Sequence, residues 1–342
     1  MTYEVNNTIY IILQNAHLRL SNENLMIEHP EAPLRMVPLH HLQGIVVMGN
    51  VQLSSPLIAY CARNNIAVVW MDQYGRFQGR LEGCRSGNVL LRRAQHLALS
   101  DPDQTLSLAR QFIAGKISNQ IQVLSRHMRD YPQNSAPLEE AVTLLERYLE
   151  QVPETRTLDD LRGVEGGASR VYFGHFDLLI RMQREAFRFQ GRNRRPPQDR
   201  TNALLSFLYT VYSQEYASAL EAVGLDYQVG YLHALRPGRP ALALDLMEEM
   251  RPAFIDRLVL RLINQNLIRP DQFDFSRPNA VYLNHEGRRV VLQIYQERKR
   301  ETVHHPDAAE PIPWAIIPYL QARRLARVLR GEAPYYEPFV IR

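Results

Sequence analysis

The residues of this chain that can do chemistry are a few acids and one histidine, because the motifs of several large enzyme classes are missing. There is no Gly-rich phosphate loop, no nucleophile elbow and no HExxH helix, so nucleotide hydrolysis, serine hydrolysis and zinc proteolysis lose their usual supports. Glu165 lies in Arg162-Gly163-Val164-Glu165-Gly166-Gly167-Ala168-Ser169-Arg170. The glycines permit close backbone approach, and the pattern puts Glu165 at the start of a helix, where the dipole favours an acid with no chemistry implied. A second stretch runs Gly230-Tyr231-Leu232-His233, then Arg236 to Pro240, then Leu242 to Pro252 with Asp245, Glu248 and Glu249. On a helix Asp245 is one turn from Glu248 and Glu249, so at least two carboxylates share a face, which is unfavourable unless a cation sits between them. An acidic, solvated helix start gives the same spacing. A lone histidine such as His233 is more often a hydrogen-bonded residue than a ligand, and spacing alone does not join it to Glu165.

Other candidates are weaker. Cys61 and Cys84 are the only cysteines; without a CxxC pair they read as ordinary thiols, with no disulfide framework or thiolate zinc site. The pairs His40-His41 and His304-His305 lack the i, i+4 spacing and the acids of a metal site. Tyr209 and Tyr212 fit core packing at helical spacing better than base stacking.

The elements that must position these residues fall into two groups. Before residue 85, short β-branched or apolar runs alternate with turn residues: Thr8–Leu13, His17–Leu20, Leu25–Glu28, Leu34–Pro38, Gly44–Met48 and Ile66–Met71, with a helix around Pro56–Asn64. From Asp101 apolar residues recur at three and four spacing, and similar patterns cover Leu138–Gln151, Arg170–Phe189, Asn202–Ala222 and Leu242–Asn266. The reading is an α+β chain. A small β-rich domain over 1–85 is followed by a linker over 86–100 and a larger, mostly helical domain over 101–342. The tail after Pro334 either lies against the body or is loose. With 342 residues, both domains can bury a core. No signal peptide and no apolar run of membrane-spanning length is visible, so a soluble, cytoplasmic protein without a membrane partner is expected.

Net charge is +4, and only Lys116 and Lys299 among 40 basic residues are lysines. The positive charge is therefore nearly all guanidinium, which pairs bidentately with phosphate. A GC-rich genome accounts for the global skew, but the window from Gly166 to Arg200 holds eight arginines against three acids. Such a patch suits a nucleic-acid backbone.

Resemblance joins the separated blocks. The strings GVEGGASRVYF, RRPPQDRTNALLSFLYT and GYLHALRPGRPALALDLMEEMRP resemble the three signature blocks of the integrase family of CRISPR adaptation, the Cas protein numbered one. The opening NTIYIILQNAHLRLSNENLMIE and the closing IPWAIIPYLQARRLARVLRGEAPYYEPF are similar to its subtype I-C branch, so the likeness spans nearly the whole chain. Ser169 stands where an alanine is usual. The resemblance implies a divalent-metal-dependent DNA endonuclease and integrase that inserts spacers by transesterification. It implies Glu165, His233 and Glu248 as metal ligands and catalytic residues, with Asp245 in support and Glu249 a close alternative. It also implies a homodimer formed through the β-rich domain and a complex with double-stranded DNA and the small companion Cas protein numbered two. Two carboxylates with one imidazole form a hard N/O set that suits Mg2+ or Mn2+. Arg170, Arg194 and Arg195 are the expected DNA-backbone contacts. A hydrolytic nuclease for branched DNA would use the same residues with water as nucleophile, and a non-catalytic DNA-bending scaffold would need only the arginines.

Overall fold

A computed structural model describes residues 8–341 except 43, 76, 82, 84–88, 194 and 195, and except the side chain of 134. Two four-stranded sheets and one helix build the N-terminal part. Strands β1 (Thr8–Ile11), β2 (Ala16–Ser21), β3 (Asn24–His29), β4 (Ala32–Pro38), β5 (Gly44–Met48) and β6 (Val51–Leu53) precede helix α1 (Ser55–Arg63), which is followed by β7 (Ala67–Met71) and β8 (Phe77–Leu81). One sheet has the order β1-β5-β7-β8, parallel except for β8; the other has the order β4-β3-β2-β6. The unbroken apolar runs of β5 and β7 follow from burial on both faces. Ile45, Val47 and Val68 pack toward the second sheet, whereas Val46, Met48, Val69 and Met71 join the core of the helical part.

The helical part consists of α2 (Val89–Ser100), α3 (Pro102–Asp130), α4 (Ala136–Gln151), α5 (Leu158–Gly174), α6 (Arg200–Val223), α7 (Ala241–Met247), α8 (Arg257–Asn264), α9 (His285–Arg300) and α10 (Ile317–Leu329). Helix α6 buries residues on every side, as an all-round apolar helix must. The α+β class, β-rich then helical, is the observed one.

Two expectations need correction, and one that was left open is decided. The span Arg170–Phe189 is not one helix: α5 stops at Gly174 and a short 3-10 turn follows at Phe176–Leu179. The apolar residues there form a ring cluster of Phe173, Phe176 and Phe189 instead of a stripe. From Val89 onward the segment read as a linker is helix α2. The tail is docked, with Tyr336, Phe339 and Ile341 buried.

Candidate active site

Helix α5 begins with a capping box in which the Thr157 hydroxyl accepts from the Asp160 amide at 3.1 Å and the Asp160 carboxylate accepts from the Thr157 amide at 3.0 Å. Glu165 is therefore two turns inside the helix and not at its start, beyond the reach of the terminal dipole. Gly167 is there for packing, since a Cβ would lie 2.6 Å from the Tyr148 ring of α4. What governs Glu165 is a cation. Lys116 of α3 donates to its Oε1, and this ammonium holds the carboxyl below its ordinary range against the opposing effect of burial. Ser169, one turn on, donates to the same oxygen at 2.8 Å, so the hydroxyl that departs from the usual alanine has a partner.

Asp245 and His233 form a second unit. Fully buried Asp245 accepts from the amides of Tyr231 at 2.6 Å, Leu232 at 3.0 Å and His233 at 3.0 Å, and His233 Nδ1 lies 2.6 Å from it. That last contact makes Nδ1 the protonated nitrogen and leaves the Nε2 lone pair outward. The loop approaches α7 this closely because residue 230 is glycine: a Cβ would lie 2.7 Å from Asp245 Oδ2. Arg162 of α5 ties the loop from the other side by donating to the Leu232 carbonyl at 2.8 Å.

Glu248 completes the arrangement at the end of α7. Pro252 has no amide to bond the Glu248 carbonyl four residues back, and a π-helical turn follows at Arg251–Asp256. Consecutive carboxylates diverge there. Glu249 points away and accepts from Gln321 at 2.8 Å, Tyr336 at 3.0 Å and the Phe339 amide at 3.0 Å, while burial pushes its carboxyl up to about 8. Glu248 faces Lys116 Nζ at 2.8 Å, Arg251 Nε at 3.1 Å and His233 Nε2 at 3.8 Å. Burial would raise its carboxyl, but Arg251, Lys116 and His233 outweigh it and hold the group well below the ordinary carboxylate range. Glu248 Oε2 and Arg251 Nε are buried without a well-directed hydrogen bond. Charge proximity therefore leaves carboxylate lone pairs unspent, and hard oxygen donors beside an imidazole lone pair fit Mg2+ or Mn2+ by type. Among the described residues no three acids, histidines or cysteines already converge as a metal cluster; the cation between Glu165 and Glu248 is Lys116.

The sequence profile of the CRISPR associated protein Cas1 family matches residues 9–297. A relative in Moorella thermoacetica named CRISPR-associated endonuclease Cas1 1 is 48% identical over 341 residues, covering 98% of both chains. The chain belongs to the Cas1 family. A Rhodospirillum rubrum relative, CRISPR-associated endonuclease Cas1 2, is 45% identical over 97% of this chain and 98% of its own. The fold of this Cas1 chain matches a solved Thermotoga maritima Cas1 with a TM-score of 0.83 at 24% identity, covering 95% of this chain and 97% of that one. A casposase bound to integration product also scores 0.83, at 21% identity, covering 96% and 92%.

The remaining candidates of the Cas1 chain divide clearly. Tyr209 and Tyr212 are core residues; Tyr209 donates to Asp256 and Tyr212 stacks on Phe254. Arg192 bonds Asn202 at 2.6 Å and Ser206 at 3.1 Å, and Arg200 bonds the carbonyls of Ala186 at 3.0 Å and Pro270 at 3.3 Å, so both serve the fold. Arg170 and Arg188 are exposed. Arg194, Arg195 and Cys84 lie outside the described residues. Cys61 is a buried free thiol. His305 is buried against Gln321 and Phe339, and no metal cluster includes it or His40 and His41 among the described residues. Lys116, Ser169, Arg162 and Arg251 were not singled out by spacing, because their partners are distant in sequence or do not form a motif.

Proposed function

We propose that this Cas1 chain is a divalent-metal-dependent DNA endonuclease and integrase, acting in the cytoplasm, that joins DNA 3′ hydroxyls to phosphodiesters of a CRISPR repeat. The observation that carries the reading is the turning of Glu165 and Glu248 to one buried cation position, with the His233 Nε2 lone pair directed to the same carboxylate. The endonuclease name of relatives at 48% and 45% identity supports the nuclease part. The likeness of the two chain ends to the subtype I-C branch supports placement in that branch.

Glu165, Glu248 and His233 Nε2 would hold Mg2+ or Mn2+. When bound, the ion supplies Lewis acidity at a phosphoryl oxygen and lowers the pKa of the attacking hydroxyl. Asp245 fixes the imidazole tautomer and orientation. A ligating imidazole must be neutral, and with Nδ1 held by Asp245 the nitrogen left to ligate is Nε2. Arg251 stays paired with Glu248 and limits the excess negative charge of the site. Double-stranded DNA, a second copy of the chain bound through the β-rich domain, and the companion Cas2 complete the proposed assembly, with Arg170, Arg194 and Arg195 on the DNA backbone.

A DNA-bending scaffold has no use for a buried, oriented set of charges, whose desolvation is costly. The test is Glu165→Ala, His233→Ala and Glu248→Ala, each incubated with a short duplex, a repeat-bearing plasmid and Cas2. The expected result is loss of cutting and joining by on the order of 10²-fold or more, mimicked by EDTA, with circular dichroism unchanged. Retained activity in Glu165→Ala supports the scaffold; cutting that never leads to joining supports the hydrolytic nuclease.

A further inference from the structure

The two lysines of this chain are exceptions to a rule it otherwise keeps. Of 40 basic residues 38 are arginine, and the two ammonium groups are both in the interior. Lys299 is 1% exposed with its Nζ 2.6 Å from Glu215, and Lys116 is 5% exposed against Glu165 and Glu248. Lys299 occupies a closed core among Glu215 and Tyr295. Lys116 instead occupies the one position in the candidate site where a cation meets two carboxylates. A guanidinium is a planar fork that binds one carboxylate edge-on, whereas an ammonium is a compact, nearly spherical charge on a flexible stem. Between two carboxylates that must also accept a small ion, the compact charge on a flexible stem is the one that a small displacement can withdraw. The contacts differ too. The hydrogen bond to Glu165 is directed, while Glu248 Oε2 is 2.8 Å from Nζ yet has no directed bond.

We infer that Lys116 is the resident cation of the site, holding Glu165 and Glu248 together when no divalent ion is bound and yielding its place at Glu248 when one enters. The inference rests on the metal-dependent reading above. Without Lys116 the metal-free site would set a half-buried Glu165 against a buried Glu248 with no cation between them, and the two carboxylates would turn apart. With both cations present, one must give way. Arg251 is the fixed one, because its guanidinium also lies 4.5 Å from the centre of the Tyr209 ring. Lys116, on a mobile stem, is a positioning residue that keeps the donor set assembled and competes with the metal for it.

A chain with two lysines makes this directly observable. In protein labelled at the lysine side chains, two resonances are expected, and Lys299 serves as an internal reference. Titration with Mg2+ is expected to move the Lys116 resonance saturably and leave that of Lys299 in place, with a midpoint matching Mg2+ competition against Mn2+ followed by the free Mn2+ resonance signal. A stationary Lys116 resonance while Mn2+ binds, in a manner that Glu165→Gln removes, overturns the inference and leaves the metal reading standing. No Mn2+ binding to the wild-type protein overturns both. As a second measurement at pH 8, Lys116→Met is expected to bind Mn2+ about tenfold more tightly, and to melt at lower temperature in EDTA. Equal or weaker binding in a folded Lys116→Met protein overturns the inference; if that variant does not fold, the wild-type titration decides.

Discussion

Asp245 and Glu248 are three residues apart, yet their surroundings give them different work. Asp245 has no lone pair to spare for a metal: three amides and an imidazole use it. Glu248 has cations around it and an oxygen without a directed bond. Spacing on a helix could not separate the two, nor exclude Glu249, because all three positions fit one face; the hydrogen-bond partners come from the loop before α7 and from the chain end. Asp245→Asn is expected to keep the volume but lose the charge and one acceptor. Activity should fall about 10- to 100-fold, and unfolding free energy by roughly 1–3 kcal/mol. Full activity in this variant would show that His233 needs no orienting carboxylate.

At the scale of elements, α3 and the bulged run from α7 to α8 act as one support. Lys116 reaches the carboxylates, and one turn later Asn119 donates to the Glu249 carbonyl at 2.8 Å and the Phe339 carbonyl at 2.7 Å and accepts from the Ile341 amide at 2.9 Å. The Glu249 carbonyl, just before the π-turn, is thus satisfied from α3, and the docked tail closes the same layer. Asn119→Ala is expected to cost about 2–3 kcal/mol in urea unfolding, because buried backbone groups lose their partners, and to loosen the tail toward proteolysis. A variant as stable as the parent would remove this support from the account. At the far end of the turn, burial pushes the Asp256 carboxyl up to about 6 from an ordinary 3.8. Its folded value exceeds its unfolded one, so its contribution is fully present below about pH 4 and is lost as pH rises through 6. Asp256→Asn should flatten this decline in unfolding experiments between pH 4 and 7; an unaltered slope would mean another group titrates there.

These elements were unevenly legible. Strand β5 lies at Gly44–Met48, where its apolar run put it, and α4 and α6 fall within two residues of their expected bounds, because periodicity is a local property. The interior position of Glu165 was hidden by the glycines around it, of which Gly167 serves the close contact with Tyr148 of α4. Lys116 was visible as a rarity among arginines, but its meaning was not: its partners are 49 residues away and more.

For the whole molecule, one of the two sheets shares a buried interface with the helices: the helix-facing side of the β5–β7 sheet enters the main core, and Arg80 of β8 bonds Ser218 of α6 at 2.9 Å. Among the described residues no helix is long and apolar enough to cross a membrane. The arginine surplus proved mixed, since Arg192 and Arg200 are spent on the fold while Arg170 is exposed. Charge reversal at Arg194 and Arg195 is therefore expected to weaken DNA binding with little sequence preference, lowering the salt slope by about one unit per lost phosphate contact. An unchanged slope would take these residues out of the DNA path.

The most direct measurement of the central claim uses the incoming DNA itself. Direct transesterification exchanges one phosphodiester for another, needs no nucleotide cofactor, and consumes the 3′ hydroxyl as nucleophile. With Cas2, a divalent metal and a repeat-bearing plasmid, a duplex ending in 2′,3′-dideoxynucleotides is expected to bind as well as normal DNA and give no joined product. Joining of that duplex, or joining that requires ATP, would contradict the account.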